Sequence, residues 1–159
     1  MKRALLALLL ILGICRIEAL AADKIDARLA KVSKAWIALA EPGEDGRAVA
    51  ACLIDRLPAN TKLTVVDTRE EADVVLKVKA HIPGAGSRYA LGMMGGTPSA
   101  NLEASLPDGT KLWSDGAKNR AGTGGVIGAV RKEDSIACGL ADRLSNTLQT
   151  AIRKARLTQ

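Results

Sequence analysis

Behind an apolar leader, hydrophobic and polar positions fall into seven periodic segments. The clearest runs from Asp73 to Ile82, where Val74, Leu76, Val78, Ala80 and Ile82 alternate with Val75, Lys77, Lys79 and His81. A period of two places successive side chains on opposite faces of a pleated strand, so one face is apolar and the other polar. At the C-terminus the period changes. Ile136, Leu140, Leu144, Leu148 and Ile152 recur every four residues, which predicts an amphipathic helix over 133–157. Val49, Ala50, Leu53 and Leu57 have helical spacing within 46–57, and Pro58 is expected to stop that helix.

Four further segments and a lead-in complete the pattern. Ala35 to Ala40 reads as a buried strand closed by Glu41-Pro42-Gly43, and Leu63 to Asp67 as a short one. Asn101–Leu106 and Lys111–Asp115 flank Pro107-Asp108-Gly109-Thr110, a strong hairpin turn signal. Asp23 to Ser33 forms a short amphipathic lead-in with Ile25, Leu29 and Val32. The order β-α-β-β-β-β-α predicts an α+β fold, an open mixed sheet with two helices packed on one face as a two-layer sandwich. Its expected limits are a lead-in over 22–33 and a single domain over 34–159.

The leader changes how the chain is counted. Lys2 and Arg3 precede an unbroken apolar run from Ala4 to Ile14, and Ala19-Leu20-Ala21 offers small residues for a signal peptidase. This is the layout of a secretory signal peptide over 1–21 and predicts a periplasmic or secreted protein. Two alternatives stay open. Cys15 could carry lipid, although Ile14 is bulky where a small residue belongs, and the run could remain as an uncleaved anchor, although Arg16 and Glu18 interrupt it well short of about 20 apolar residues. Membrane contact is expected only through one of these two routes.

Removing the leader also alters charge and cysteine content. The full 159 residues carry 23 basic and 17 acidic side chains; without Lys2, Arg3, Arg16 and Glu18 the balance is 20 to 16, or +4. The densest basic stretch, Arg153, Lys154 and Arg156, suits the negative end of a helix dipole, and no stripe is dense enough for nucleic acid. Aromatic residues make up only 2% of the chain, which argues against stacking on bases or sugars. Trp36 and Trp113 fall on predicted strands and are assigned to the core, leaving Tyr89 in a loop.

Two cysteines remain, Cys52 and Cys138, in a compartment that permits disulfides. At about 100° per residue, each falls on a flank of its helix, and parallel neighbours on a sheet would turn those flanks toward each other. A Cys52–Cys138 bridge is therefore expected. Two free thiols at the helix seam are the alternative.

Candidate chemistry is sparse. His81 is the one histidine and stands on the polar side of its strand, so a metal cluster would lack ligands and a Cys–His nucleophile would depend on the fold. Glu70, Glu71 and Asp73 read as a solvated turn, and Ser87, Ser99, Ser105 and Ser114 lack a nucleophile-elbow context. No cofactor and no catalytic residue are expected, and the chain is not expected to be an enzyme. Ten of the 15 glycines lie in two stretches, Gly84–Gly96 and Gly116–Gly128, neither with phosphate-loop or dinucleotide context. In the first, Arg88, Tyr89, Met93 and Met94 are candidate partner contacts, because Met and Tyr adapt well to partner surfaces. Simple connection is the competing reading.

Ala72-Asp73-Val74-Val75-Leu76, the segment holding Gly84, Arg88, Gly92, Gly95 and Gly96, then Pro107-Asp108-Gly109-Thr110-Lys111-Leu112-Trp113-Ser114 and the closing helix resemble a family of bacterial cell-envelope lipoproteins built on a domain of unknown function. The resemblance spans Trp36 to Ala155. More remotely, the pattern is similar to the small α/β domains of the translocation protein TolB, the curli secretion protein CsgG and the penicillin-binding-protein activators. It implies an envelope protein with a structural, assembly or partner-binding role, an envelope protein as partner, and no catalytic residue. A small-ligand-binding module using Gly84–Gly96 is the second expectation, and a small envelope hydrolase a third.

Overall fold

Five strands form one mixed sheet in the order β2-β1-β3-β4-β5, with two helices across one face. The computed structural model describes residues 25–83, 97–118 and 133–158. Its strands are β1 (Lys34–Leu39), β2 (Thr64–Val65), β3 (Val74–His81), β4 (Ser99–Ser105) and β5 (Lys111–Lys118); its helices are α1 (Glu44–Thr61) and α2 (Glu133–Leu157). The α+β sandwich and its element order are therefore as the periodicity predicts. β1 runs parallel to β2 and β3, β4 pairs antiparallel with β3, and β5 pairs antiparallel with β4.

The register sorts the side chains. Val74, Leu76 and Val78 stand beside Ala35, Ile37 and Leu39 of β1, and Leu76, Val78 and Ala80 beside Ala104, Leu102 and Ala100 of β4. Most of these residues are buried and belong to one core with Val49, Leu53 and Leu57 of α1 and Leu140, Leu144 and Leu148 of α2. Six alanines of β4 and α2 (Ala100, Ala104, Ala137, Ala141, Ala151 and Ala155) are buried there, so backbones approach closely and a core almost without rings still fills its space.

Pro58 does not stop α1. The helix continues to Thr61 and ends at Lys62, which takes a left-handed φ of 64° and donates its N–H to the Pro58 carbonyl at 3.2 Å. Pro58 deletes one backbone bond, the one to the carbonyl of Ile54, and both residues are on the exposed side of the helix, where losing that bond costs least. At its other end, Glu44 and Asp45 occupy the first turn, the positive end of the helix dipole. The Asp45 carboxylate also accepts the Ile82 N–H at 2.8 Å, which ties the end of β3 to the start of α1.

The lead-in joins the core. Ala27–Lys31 forms a 3-10 turn capped by Asp26, and Leu29 and Val32 are buried against the rest of the fold. The predicted hairpin turn is present: Gly109 adopts φ 92°, and Asp108 accepts the Thr110 N–H at 2.8 Å. Boundaries shift elsewhere. β2 has only two residues, because it pairs with β1 alone before the chain turns at Asp67 to cross to β3. β4 starts at Ser99 and β5 runs on to Lys118, so Gly116 belongs to a strand and not to the glycine-rich connection.

Sheet edges are closed. β2 is too short to template another strand, and β5 is blocked where Asp26 donates its N–H to the Leu112 carbonyl at 3.0 Å. Farther along β5, the Asp115 carboxylate accepts the Gly116 N–H at 2.7 Å. Trp113 is 5% exposed and serves the core as expected. Trp36 does not: it pairs in register with Val75 on the face away from the helices and is only half-buried. Among the described residues no helix is long and apolar enough to cross a membrane.

Candidate functional site

Two features survive as candidates, the helix seam and the open face of the sheet. At the seam, Cys52 of α1 and Cys138 of α2 are joined as a disulfide with their Cα atoms 5.1 Å apart. Farther along the same seam, the Asn60 amide donates to the Ser145 hydroxyl at 2.6 Å and to the Asp142 carboxylate at 3.4 Å. Ser145 is fully buried and passes its own proton to the Asp142 carbonyl at 2.9 Å. The helices are thus held by one covalent staple and one satisfied polar contact. Both act on structure.

The open face is set by the same alternation that makes the core. Lys77 and Lys79 of β3 stand opposite Glu103 and Asn101 of β4. Glu103 and Asn101 in turn face Ser114 and Gly116 of β5. These side chains line a shallow depression of about 420 Å³, with Gly116 in its floor. A Cβ at Gly116 would sit 2.5 Å from the Asn101 amide oxygen, so the glycine makes room for that side chain. Lys77 pairs with Glu103 across the strands at 3.4 Å, and Lys79 reaches Glu41 beyond the end of β1 at 2.5 Å. Ala40, Leu102 and Asp115 complete the lining, so the surface combines two lysine–glutamate pairs, one further carboxylate, short hydrogen-bonding groups and some apolar area. Among the described residues no set of His, Cys, Asp and Glu could hold a metal ion.

Other predicted residues are scattered. His81 is exposed at the end of β3, facing Ser99. Glu70 and Glu71 are exposed in the turn as expected, but Asp73 is more than a solvated residue. Its carboxylate accepts the Ser33 hydroxyl at 2.7 Å and the backbone N–H groups of Ser33 and Lys34, each at 2.9 Å. The Ser33 hydroxyl and N–H hold the Asp73 carboxyl below its ordinary value, because they stabilise the charged form. Asp73 thereby fixes the start of β1 to the start of β3. Arg88, Tyr89, Met93 and Met94, with the whole Gly84–Gly96 stretch, lie outside the described residues, as do the leader and Cys15.

Reading the sequence alone missed Asn101, Glu103 and Gly116. The polar positions of β4 alternate with Ala100, Leu102 and Ala104, a signal that marks the outward face but not what it faces. Which charge meets which depends on cross-strand register.

No protein-family model matches this sequence, and no curated protein matches it. Among solved structures, the chain is similar to a PelC dodecamer from Paraburkholderia phytofirmans at 16% identity, covering 80% of this chain and 92% of that one, with a TM-score of 0.46. An uncharacterized lipoprotein B from Nitrosomonas europaea is similar at 9% identity, over 85% and 91% of the two chains, with a TM-score of 0.46. A DUF4136 family protein from Bacteroides thetaiotaomicron is similar at 14% identity, over 81% and 94%, with a TM-score of 0.48. No site residue is carried over from them.

Proposed function

We propose that this chain is an exported, non-catalytic protein of the cell envelope that binds another envelope component through the open face of its sheet. The Cys52–Cys138 bridge carries the reading. It joins the only two cysteines outside the leader, and such a structural disulfide belongs to an oxidising compartment. The n-region, apolar run and small-residue site of the leader support the same address, as does the resemblance of residues 36–155 to the envelope lipoprotein domain.

The face itself supports binding over catalysis. Lys77 and Lys79 are each engaged by a glutamate, and Asn101 and Ser114 add neutral hydrogen-bonding groups beside them. A rigid sheet presents such groups with little loss of entropy on association. The depression of about 420 Å³ favours a second reading, a small polar ligand in place of a protein.

Two measurements test this. Mass spectrometry of protein recovered from cells should show a chain starting at Ala22 with Cys52 and Cys138 resistant to alkylation until reduced. Met1 at the terminus together with two free thiols would sink export. A photo-crosslinking residue at position 101 should trap a discrete envelope protein in cells. Trapping none there, while the purified protein binds a polar small molecule at the same position, would replace the partner with a ligand.

A further inference from the structure

The lead-in and the last turns of α2 meet at one end of the molecule. Ile25 shares a cleft with Asp115, Ala151 and Lys154, and the 3-10 turn that follows Ile25 packs on α2. That end is basic. Arg28 and Lys31 are exposed on the turn, and Arg153, Lys154 and Arg156 are exposed around the end of α2. Arg28 is partly compensated, since Asp26 pairs with it at 2.9 Å and Asp108 lies near enough to act on it. Among the described residues, Lys31, Arg153, Lys154 and Arg156 take part in no ion pair.

Beside them stands Leu157, 87% exposed, the most exposed large hydrophobic residue in the described parts of the chain. A ring of cations with one protruding aliphatic side chain suits an anionic bilayer surface, where phosphates attract the charges and the leucine enters the headgroup boundary.

We infer that the turn at Ala27–Lys31 and the C-terminal end of α2 form a peripheral contact for an anionic membrane surface. This contact belongs to the folded domain and needs neither lipid on Cys15 nor a retained leader. It gains its biological sense from the envelope reading, yet vesicle binding can fail while export stands, and the two are measured separately.

The experiment uses residues 22–159, which hold every described element of the fold. Vesicles of equimolar phosphatidylglycerol and phosphatidylcholine should co-sediment the protein at about 0.01 M ionic strength and release most of it at about 0.15 M. Replacing Arg153, Lys154 and Arg156 by Gln should weaken partitioning by about fivefold per cation removed. Arg28→Gln with Lys31→Gln should weaken it in the same direction, which guards against a trivial effect on the end of α2. Arg47→Gln with Arg56→Gln, on the exposed side of α1, should leave it unchanged. Equal binding to pure phosphatidylcholine, no binding at low salt, or binding insensitive to both cation sets would each overturn the inference.

Discussion

Leu102 and Glu103 are neighbours on β4, yet one is fully buried beneath the helices and the other lines an open polar depression. The same contrast holds along β3, where Leu76 and Val78 enter the core and Lys77 and Lys79 leave it. Two faces of one sheet thus divide the work. The covered face holds the apolar burial that stabilises the fold, while the open face keeps charge pairs worth little to stability. Because the side-chain period is two, a one-residue slip would exchange the faces, so burial on one side locks the display on the other.

The largest perturbation attacks the layer that makes the faces different. Replacing Cys52 and Cys138 by Ser opens a loop with a sequence separation of 86 residues. That should lower unfolding free energy by about 4 kcal/mol, read in urea melts against the oxidised protein. A loss under about 1 kcal/mol would mean that the apolar packing and the polar contact of Asn60 and Ser145 hold the seam without the bridge.

Adjacent residues then give the direct test. Leu102→Ala should cost about 3 kcal/mol by the same melts, and Glu103→Ala less than about 0.5. Similar costs for the two would erase the distinction between the faces.

Asp73 sharpens the comparison because it stabilises from neither face. Asp73→Asn should cost about 1 kcal/mol at neutral pH. Its folded carboxyl lies below the ordinary value of 3.8, so the contribution is present above that value and fades as pH falls through the lower folded one. Melts at pH 6 and pH 3 should therefore show the wild-type advantage over Asn shrinking in acid. An advantage that grows in acid would contradict the three accepted hydrogen bonds. The smallest effect is expected between Lys77 and Glu103, where a double-mutant cycle to Ala should give a coupling of about 0.5 kcal/mol that declines with added salt.

Much of the fold was legible because its signals are local. The alternation of β3, the four-residue steps of α2 and the Pro-Asp-Gly turn each lie within one stretch of chain. Pro58 misled because its cost depends on whether the bond it removes is buried, and Ile54 and Pro58 lie on the exposed side. Gly116 misled because glycine marks connections on average, whereas here it accommodates the Asn101 side chain within a strand. Trp36 lies on a strand as expected, but only register decides which face it occupies. The open-face site was least legible, since Lys77 and Glu103 are 26 positions apart and meet only when β3 and β4 pair.

The pattern of apolar positions by itself determined the five strands and two helices of the described residues, which side of β3 is wet, and that two cysteines sit on helix flanks. These follow from periods of two and of about 3.6 residues, which any stretch of backbone imposes on its own side chains. The strand order, the partners of Lys77 and Lys79, the bond from Ser33 to Asp73 and the packing of the 3-10 turn on α2 were decided by tertiary structure. Each requires distant segments to return to one place, and that choice is made by burying the whole core at once.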